Sequence, residues 1–293
     1  MSMAEGMADR LEATRPGDRY ADYCLWDYLP PQPTAGKLRS ASLLWNSFEV
    51  AGLGPNGYRI ADTIRRGVGP FRTVWGVKQV EGALSWEFYF YDYARLQRQV
   101  SIPRVVDMLR PLVDCSLSYP ETRPYFMFSI DLDADLAEGR RSLDLINIYV
   151  GNPGSSVSSG IGYALTPEGL RLDNFYFFFD ARQQFDEIVG KIACSAHLDL
   201  PRPDLDDLLW PPLLDCQTIV VANKKFNDSL YFSRVGIDGL IYFLDRMAYP
   251  ARVQEFVQRH RNRLDHMLYD VGIDYVTRNG RIEIIKSGYY GLI

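Results

Sequence analysis

Residues 84–93, Leu-Ser-Trp-Glu-Phe-Tyr-Phe-Tyr-Asp-Tyr, constrain the fold more than any other stretch of the chain. Successive side chains of a β-strand point to opposite faces, so this run puts Glu87, Tyr89, Tyr91 and Tyr93 on one face and Trp86, Phe88 and Phe90 on the other. The second is a core face. The first differs from the small polar or charged surface that an antiparallel sheet usually turns to water. It carries a carboxylate among rings, each an apolar body with a hydroxyl at its tip. Such a face suits an interior that is greasy and still forms hydrogen bonds.

The arrangement recurs. Asn147 and Tyr149 alternate with Ile146 and Ile148, Asn174 and Tyr176 with Phe175 and Phe177, and Tyr231 and Ser233 with Leu230 and Phe232. Strands that each offer a tyrosine face can line one cavity if the sheet closes on itself. An open sheet with the tyrosines half exposed at its rim satisfies the same alternation, because Tyr is a favoured strand residue in any sheet.

Bulk properties narrow the class. With 47% hydrophobic and 24% charged residues in 293, the composition is that of an ordinary globular chain with ample core. A net charge of -5 without a concentrated basic face argues against a nucleic-acid partner. No apolar run approaches the roughly 18 to 20 residues that span a membrane, and the polar start of the chain is not signal-like, so a cytoplasmic protein without a membrane partner is expected. Cys24, Cys115, Cys194 and Cys216 stand far apart with no C-x-x-C pair, which implies free, mostly buried thiols. His260 and His266, the pair Arg140 and Arg141, and the basic run 259–263 read as solvated charge.

In order along the chain, residues 1–69 form a partly irregular N-terminal extension, with 1–20 frayed, 40–50 helical and one further helical turn at 61–66. Residues 70–293 then divide into five hairpins: 71–80 with 84–93, 125–133 with 142–151, 160–165 with 170–180, 218–223 with 229–234, and 273–277 with 281–285. Asn279-Gly280 is the strongest turn signal. A Gly/Ser-rich linker covers 152–159 and a proline-rich loop 199–215. Helices are expected at 101–113, at 184–196 with Phe185, Ile188 and Ile192 on its apolar face, at 237–248 and at 251–269. Ten antiparallel strands carrying helices whose apolar stripes need covering either leave edges exposed or close, with helices outside and tyrosines inside.

Short motifs follow one another along this region. They are Met127 to Asp131, Ser-Ile-Asp-Leu-x-x-x-Leu-Ala-Glu at 129–138, and Asn-Phe-Tyr-Phe at 174–177. Residues 227–244 read Asn-Asp-Ser-Leu-Tyr-Phe-Ser-Arg-Val-Gly-Ile-Asp-Gly-Leu-Ile-Tyr-Phe-Leu, and Lys286-Ser287-Gly288-Tyr289-Tyr290 lies near the end. In these the chain resembles the ABBA prenyltransferases, whose ten-stranded barrel binds an isoprenoid diphosphate and an aromatic acceptor. It is most similar to the cyanobactin-type peptide prenyltransferases.

The resemblance implies an α+β fold, a ten-stranded antiparallel β-barrel surrounded by α-helices. It also implies transfer of an allylic isoprenoid from its diphosphate, accompanied by Mg2+, to an aromatic or peptide side-chain acceptor. A dry lumen with π-faces protects an allylic cation, a role for Tyr89, Tyr91, Tyr149, Tyr176 and Tyr231 with Asn147 and Asn174 among them. The leaving diphosphate needs cations, for which Lys78, Lys224, Lys225 and Lys286 are the candidates, and Glu87 is the expected proton acceptor.

The chain departs from the peptide branch in two places. The first strand has no carboxylate before Glu81, and the fourth offers Asp144, Ile146 and Ile148 where basic residues are expected. A catalytically inactive barrel binding a peptide or hydrophobic ligand is the alternative that these departures favour. A rim carboxylate paired with a basic neighbour also explains Glu87, a solvated strand end explains Lys286, and exposure beside a turn explains Lys224 and Lys225.

Overall fold

The computed structural model of the chain describes residues 10–119, 121–152, 158–198 and 205–293. Its strands are β1 (Thr73–Val80), β2 (Ala83–Tyr91), β3 (Met127–Leu132), β4 (Ile146–Gly151), β5 (Ser158–Thr166), β6 (Gly169–Asp180), β7 (Thr218–Lys224), β8 (Asp228–Val235), β9 (Tyr269–Arg278) and β10 (Arg281–Leu292). Each pairs antiparallel with its neighbours in sequence, and β1 pairs with β10 through Gly76 opposite Tyr290, so the sheet closes into a barrel. Closure leaves no sheet edge and removes the open-sheet alternative.

Tight turns set the hairpin registers. Glu81-Gly82 and Asn279-Gly280 both have positive φ at the two central positions (49° and 82°, 52° and 71°), which matches the twist of flanking strands.

The hydrophobic core lies outside the barrel wall, beneath helices. Trp75, Trp86, Phe88, Phe90, Phe128, Ile146 and Ile148 point outward and are buried. Against them pack α1 (Ala41–Val50), α2 (Pro55–Val68) and α3 (Ile102–Leu109); after the single-turn α4 (Ala134–Ala137), α5 (Phe185–Ala193) packs on β6 and β7. The helices α6 (Ile237–Arg246), α7 (Ala251–Arg259) and short α8 (Arg261–Leu264) follow β8. Phe48 of α1 meets Trp86 of β2 edge to face, ring centroids 4.8 Å apart. In α3 the apolar stripe Ile102, Val105, Val106 and Leu109 is buried, and Ser101 caps the helix by accepting the Arg104 N–H.

Several expectations give way. The single turn at 61–66 is the end of a full helix, α2, because Pro55 occupies its first position, where a missing N–H costs nothing. Residues 10–20 are held rather than frayed: Glu12 accepts from both Arg65 terminal nitrogens (2.7 and 2.6 Å) and from the Trp45 indole (2.8 Å). The helix expected at 251–269 stops at Leu264, and Tyr269 begins β9. Phe185, expected on the apolar face of α5, is 40% exposed.

His266 is buried edge-on to Tyr20 (5.5 Å), and desolvation, with the Lys37 charge, lowers its pKa to about 4. Of the cysteines only Cys216 is buried. The linker at 152–159 lies in part outside the described residues (153–157), as do 1–9 and 199–204; Ser158 and Ser159 belong to β5. Among the described residues no helix is long and apolar enough to cross a membrane.

Candidate active site in the barrel lumen

Strand alternation delivers one inward residue from each strand at each level of the barrel, and at mid-height the inward residues alternate in size. The even-numbered strands contribute Tyr89, Tyr149, Tyr176, Tyr231 and Tyr290. The odd-numbered ones contribute Gly76, Ser129, Gly162, Ala222 and Gly272 as pairing partners of those tyrosines. The small partners make room: a Cβ on Gly76 would stand 2.7 Å from the Tyr290 ring, and one on Gly272 would stand 2.3 Å from the Tyr231 ring. The rings therefore form a collar, with centroids 5.7 Å (Tyr149 to Tyr176), 6.5 Å (Tyr176 to Tyr231), 6.4 Å (Tyr231 to Tyr290) and 5.9 Å (Tyr290 to Tyr89) apart. Burial raises the pKa of every one of these hydroxyls, so the rings stay neutral.

On the hairpin-turn side of the collar lies a polar cavity of about 780 Å³ lined by Lys78, Glu87, Asp131, Lys224, Asp274 and Lys286. Glu87 is fixed by four donors. Its Oε2 accepts from Tyr89 OH (2.8 Å) and Lys78 Nζ (3.2 Å), and its Oε1 from Ser129 Oγ and Asn147 Nδ2 (3.4 Å). Lys78 also pairs with Asp131. On the other wall Asp274 accepts from Lys224 (2.9 Å), Lys286 (2.7 Å) and Ser229 (2.5 Å), and Lys224 reaches Tyr231 OH (3.2 Å). An ammonium has three N–H groups, so each lysine keeps a donor for a ligand. Lys286 is the most open of the three, with 34% side-chain exposure.

The charges tune one another. Burial acts to raise the Glu87 carboxyl, but the Lys78 charge and the hydrogen bonds from Ser129 and Tyr89 outweigh it and hold the pKa below the usual range. Asp131 moves up, through burial and the adjacent Glu87 charge, against Lys78. Asp274 sits well below the ordinary carboxylate range because Lys224 and Lys286 overcome its burial. Burial acts to lower Lys78 and Lys224, yet their carboxylate partners raise both. Lys286 goes the other way: burial and the Lys224 charge lower it, since it has one carboxylate and two lysine neighbours.

On the opposite side of the collar is an apolar cavity of about 750 Å³, lined by Tyr91, Phe126, Met127, Phe178 and Val220 among others. Residues 19–28 fold across that end. There Asp22 pairs with Arg234 (2.8 Å), the Tyr23 N–H donates to Asp270 Oδ2 (2.8 Å), and Ser233 donates to Asp270. Desolvation, helped by the Asp22 charge, pushes the Asp270 pKa up to about 7.

The sequence-predicted residues Lys78, Glu87, Tyr89, Asn147, Tyr149, Asn174, Tyr176, Lys224, Lys225, Tyr231 and Lys286 all line the polar cavity, and Tyr91 lines the apolar one. Lys225 stands at the mouth, its ammonium 4.9 Å over the Phe226 ring. Tyr93 leaves the set: it lies beyond β2, 49% exposed. Ile146 and Ile148 face the helices, so the inward residues of the fourth strand are Asn147 and Tyr149, and its apolar look has no bearing on the lumen.

Asp131 and Asp274 escaped prediction, although each alternates with apolar neighbours as Glu87 does; Tyr290, between Tyr289 and Gly291, escaped it without that signal. Tyr23 offers no such signal.

A resident Mg2+ finds no fitting donor set. No three carboxylate, His or Cys side chains converge among the described residues, and Glu87, Asp131 and Asp274 are already bound to ammonium groups.

No protein-family model and no curated protein matches the chain. Among solved structures it is similar to the crystal structure of AnaPT from Neosartorya fischeri, with a TM-score of 0.51 and 12% identity over 86% of this chain and 92% of that chain. The likeness is one of fold.

Proposed function

We propose that this chain, a barrel of the prenyltransferase fold, transfers an allylic isoprenoid from its diphosphate to an aromatic or peptide side-chain acceptor inside the lumen. The observation that carries the reading is the contiguity of Lys78, Lys224 and Lys286 with a collar of neutral tyrosine rings in one cavity. The structural neighbour AnaPT, an aromatic prenyltransferase, supports it at the level of fold.

In this reading the diphosphate takes the unused donors of the three lysines. Breaking the allylic C–O bond sends the electron pair out with the diphosphate, whose growing charge the ammonium groups stabilise. The cation left behind meets π-faces in place of water, and the acceptor's nucleophile closes the new bond. Glu87, ionised and oriented by four donors, takes the proton the acceptor loses. Any Mg2+ arrives with the diphosphate, and no step here depends on it.

One observation favours a second reading, a barrel that binds without reacting: the lumen lysines are balanced, three against three, by Glu87, Asp131 and Asp274. Incubation with dimethylallyl or geranyl diphosphate, Mg2+ and aromatic amino acids or tyrosine- and tryptophan-bearing peptides separates the two. Prenyl transfer predicts diphosphate release and an acceptor heavier by one prenyl unit, both abolished in Lys286→Ala together with weaker donor binding. Neither thermal stabilisation by the diphosphates nor any product would leave the binding-only barrel, and unchanged turnover in Lys286→Ala would remove that lysine from the mechanism.

A further inference from the structure

The two cavities share the collar residues Tyr149, Tyr176, Tyr231 and Tyr290 and one side chain that does not belong to the barrel wall, Tyr23. Tyr23 comes from the segment that crosses the end of the barrel, and its ring enters the collar. It stacks on Tyr231 (6.5 Å, 23°) and meets Tyr89 (5.1 Å), Tyr290 (5.1 Å) and Tyr91 (6.2 Å) nearly edge-on. It lines both the polar and the apolar cavity. Among the described residues the lining of the apolar cavity has no lysine to receive a phosphate.

We infer that Tyr23 sets the length of apolar chain the lumen accepts. The chain of a ligand whose head sits among the lysines runs up through the collar, and the Tyr23 ring closes the passage into the apolar cavity beyond. The intact protein takes a short allylic chain, and with the ring removed the tail of a farnesyl-length chain enters the second cavity. The assignment of the head group rests on the proposed function. The role of Tyr23 as a stop rests on the geometry of the two cavities alone.

The segment does not depend on the Tyr23 ring for its position. Asp22 is bound to Arg234, the Tyr23 backbone N–H to Asp270, Tyr28 OH both donates to the Leu268 carbonyl (3.2 Å) and accepts the Leu268 N–H (3.0 Å), and Tyr93 OH donates to the Cys24 carbonyl (2.8 Å). A smaller residue at 23 therefore opens the passage while the strap stays docked.

Calorimetric titration with dimethylallyl and farnesyl thiodiphosphates, which resist transfer, tests the inference on wild type, Tyr23→Ala, Tyr23→Val and Tyr23→Phe. The ratio of farnesyl to dimethylallyl affinity should rise about tenfold in Tyr23→Ala, a conservative figure for burying additional methylenes. It should rise by less in Tyr23→Val and stay at the wild-type value in Tyr23→Phe, which keeps the ring. A ratio unchanged in folded Tyr23→Ala or Tyr23→Val overturns the inference, and so does a Tyr23→Phe that behaves like Tyr23→Ala. Farnesol, which has no phosphate, separates this result from the reading of the lysines. Farnesol binding gained in Tyr23→Ala supports the stop even where no thiodiphosphate binds and the proposed function has failed; gain of neither overturns the stop.

Discussion

The alternation of tyrosine with glycine around the waist of the barrel makes a sharp prediction for Gly272→Ala. The added methyl would stand 2.3 Å from Tyr231 Cδ1 and 2.8 Å from Cε1, where ordinary contact begins at 3.4 Å, so the ring has to move by about 1 Å. It has little room to do so. Tyr231 stacks on Tyr23, neighbours Tyr176 and Tyr290, and accepts a hydrogen bond from Lys224. Overpacking of this kind costs about 1–3 kcal/mol. In a chain of this length that lowers Tm by roughly 2–4 °C per kcal/mol.

Gly190→Ala is the control. Gly190 lies inside α5 with nothing within 4 Å of the added methyl. Replacing a helical glycine by alanine there should stabilise by about 0.5–1 kcal/mol. Thermal unfolding followed by circular dichroism measures both. A Gly272→Ala variant as stable as the wild type, with Gly190→Ala behaving as expected, would refute the packing of the collar.

Three further outcomes follow from the charges. Glu87→Gln should lower prenyl transfer by about 10²–10⁴-fold, the usual contribution of a general base, with donor affinity far less affected; equal turnover in a steady-state assay would exclude its role. Asp274→Asn leaves Lys224 and Lys286 without their shared counter-charge and should cost about 3 kcal/mol, read as a shift in urea midpoint, because an uncompensated buried charge remains. Asp270 has its pKa raised to about 7, so its contribution to stability is complete below the ordinary carboxylate range and is lost as pH rises toward about 7. Tm measured across that interval should fall in the wild type and fall less in Asp270→Asn; parallel curves would contradict the assignment.

The barrel was legible because a two-residue period is a local property. A face of Glu87, Tyr89 and Tyr91 opposite Trp86, Phe88 and Phe90 needs no knowledge of the rest of the chain, and the same rule applied to Asp131 between Ile130 and Leu132, or Asp274 between Ile273 and Tyr275, points to the lumen as plainly. At β4 the lumen face was read correctly as Asn147 and Tyr149, but the departure from the peptide branch was judged on Ile146 and Ile148, which belong to the core face. The missed residues of another kind are set by tertiary contact. Tyr23 lies in a segment without periodicity, and its backbone partner, Asp270, is 247 residues away. The extent of α2 was hidden by Gly54-Pro55, a pair that reads as a break and here begins a helix.

A crystal structure of the protein with geranyl thiodiphosphate tests the lumen as the reaction chamber most directly. The diphosphate should lie within hydrogen-bond distance of Lys78, Lys224 and Lys286, with the chain against the rings of Tyr89, Tyr231 and Tyr290. Density for the compound on the outside of the barrel, or its head group among the apolar residues around Met127 and Val220, would contradict the account.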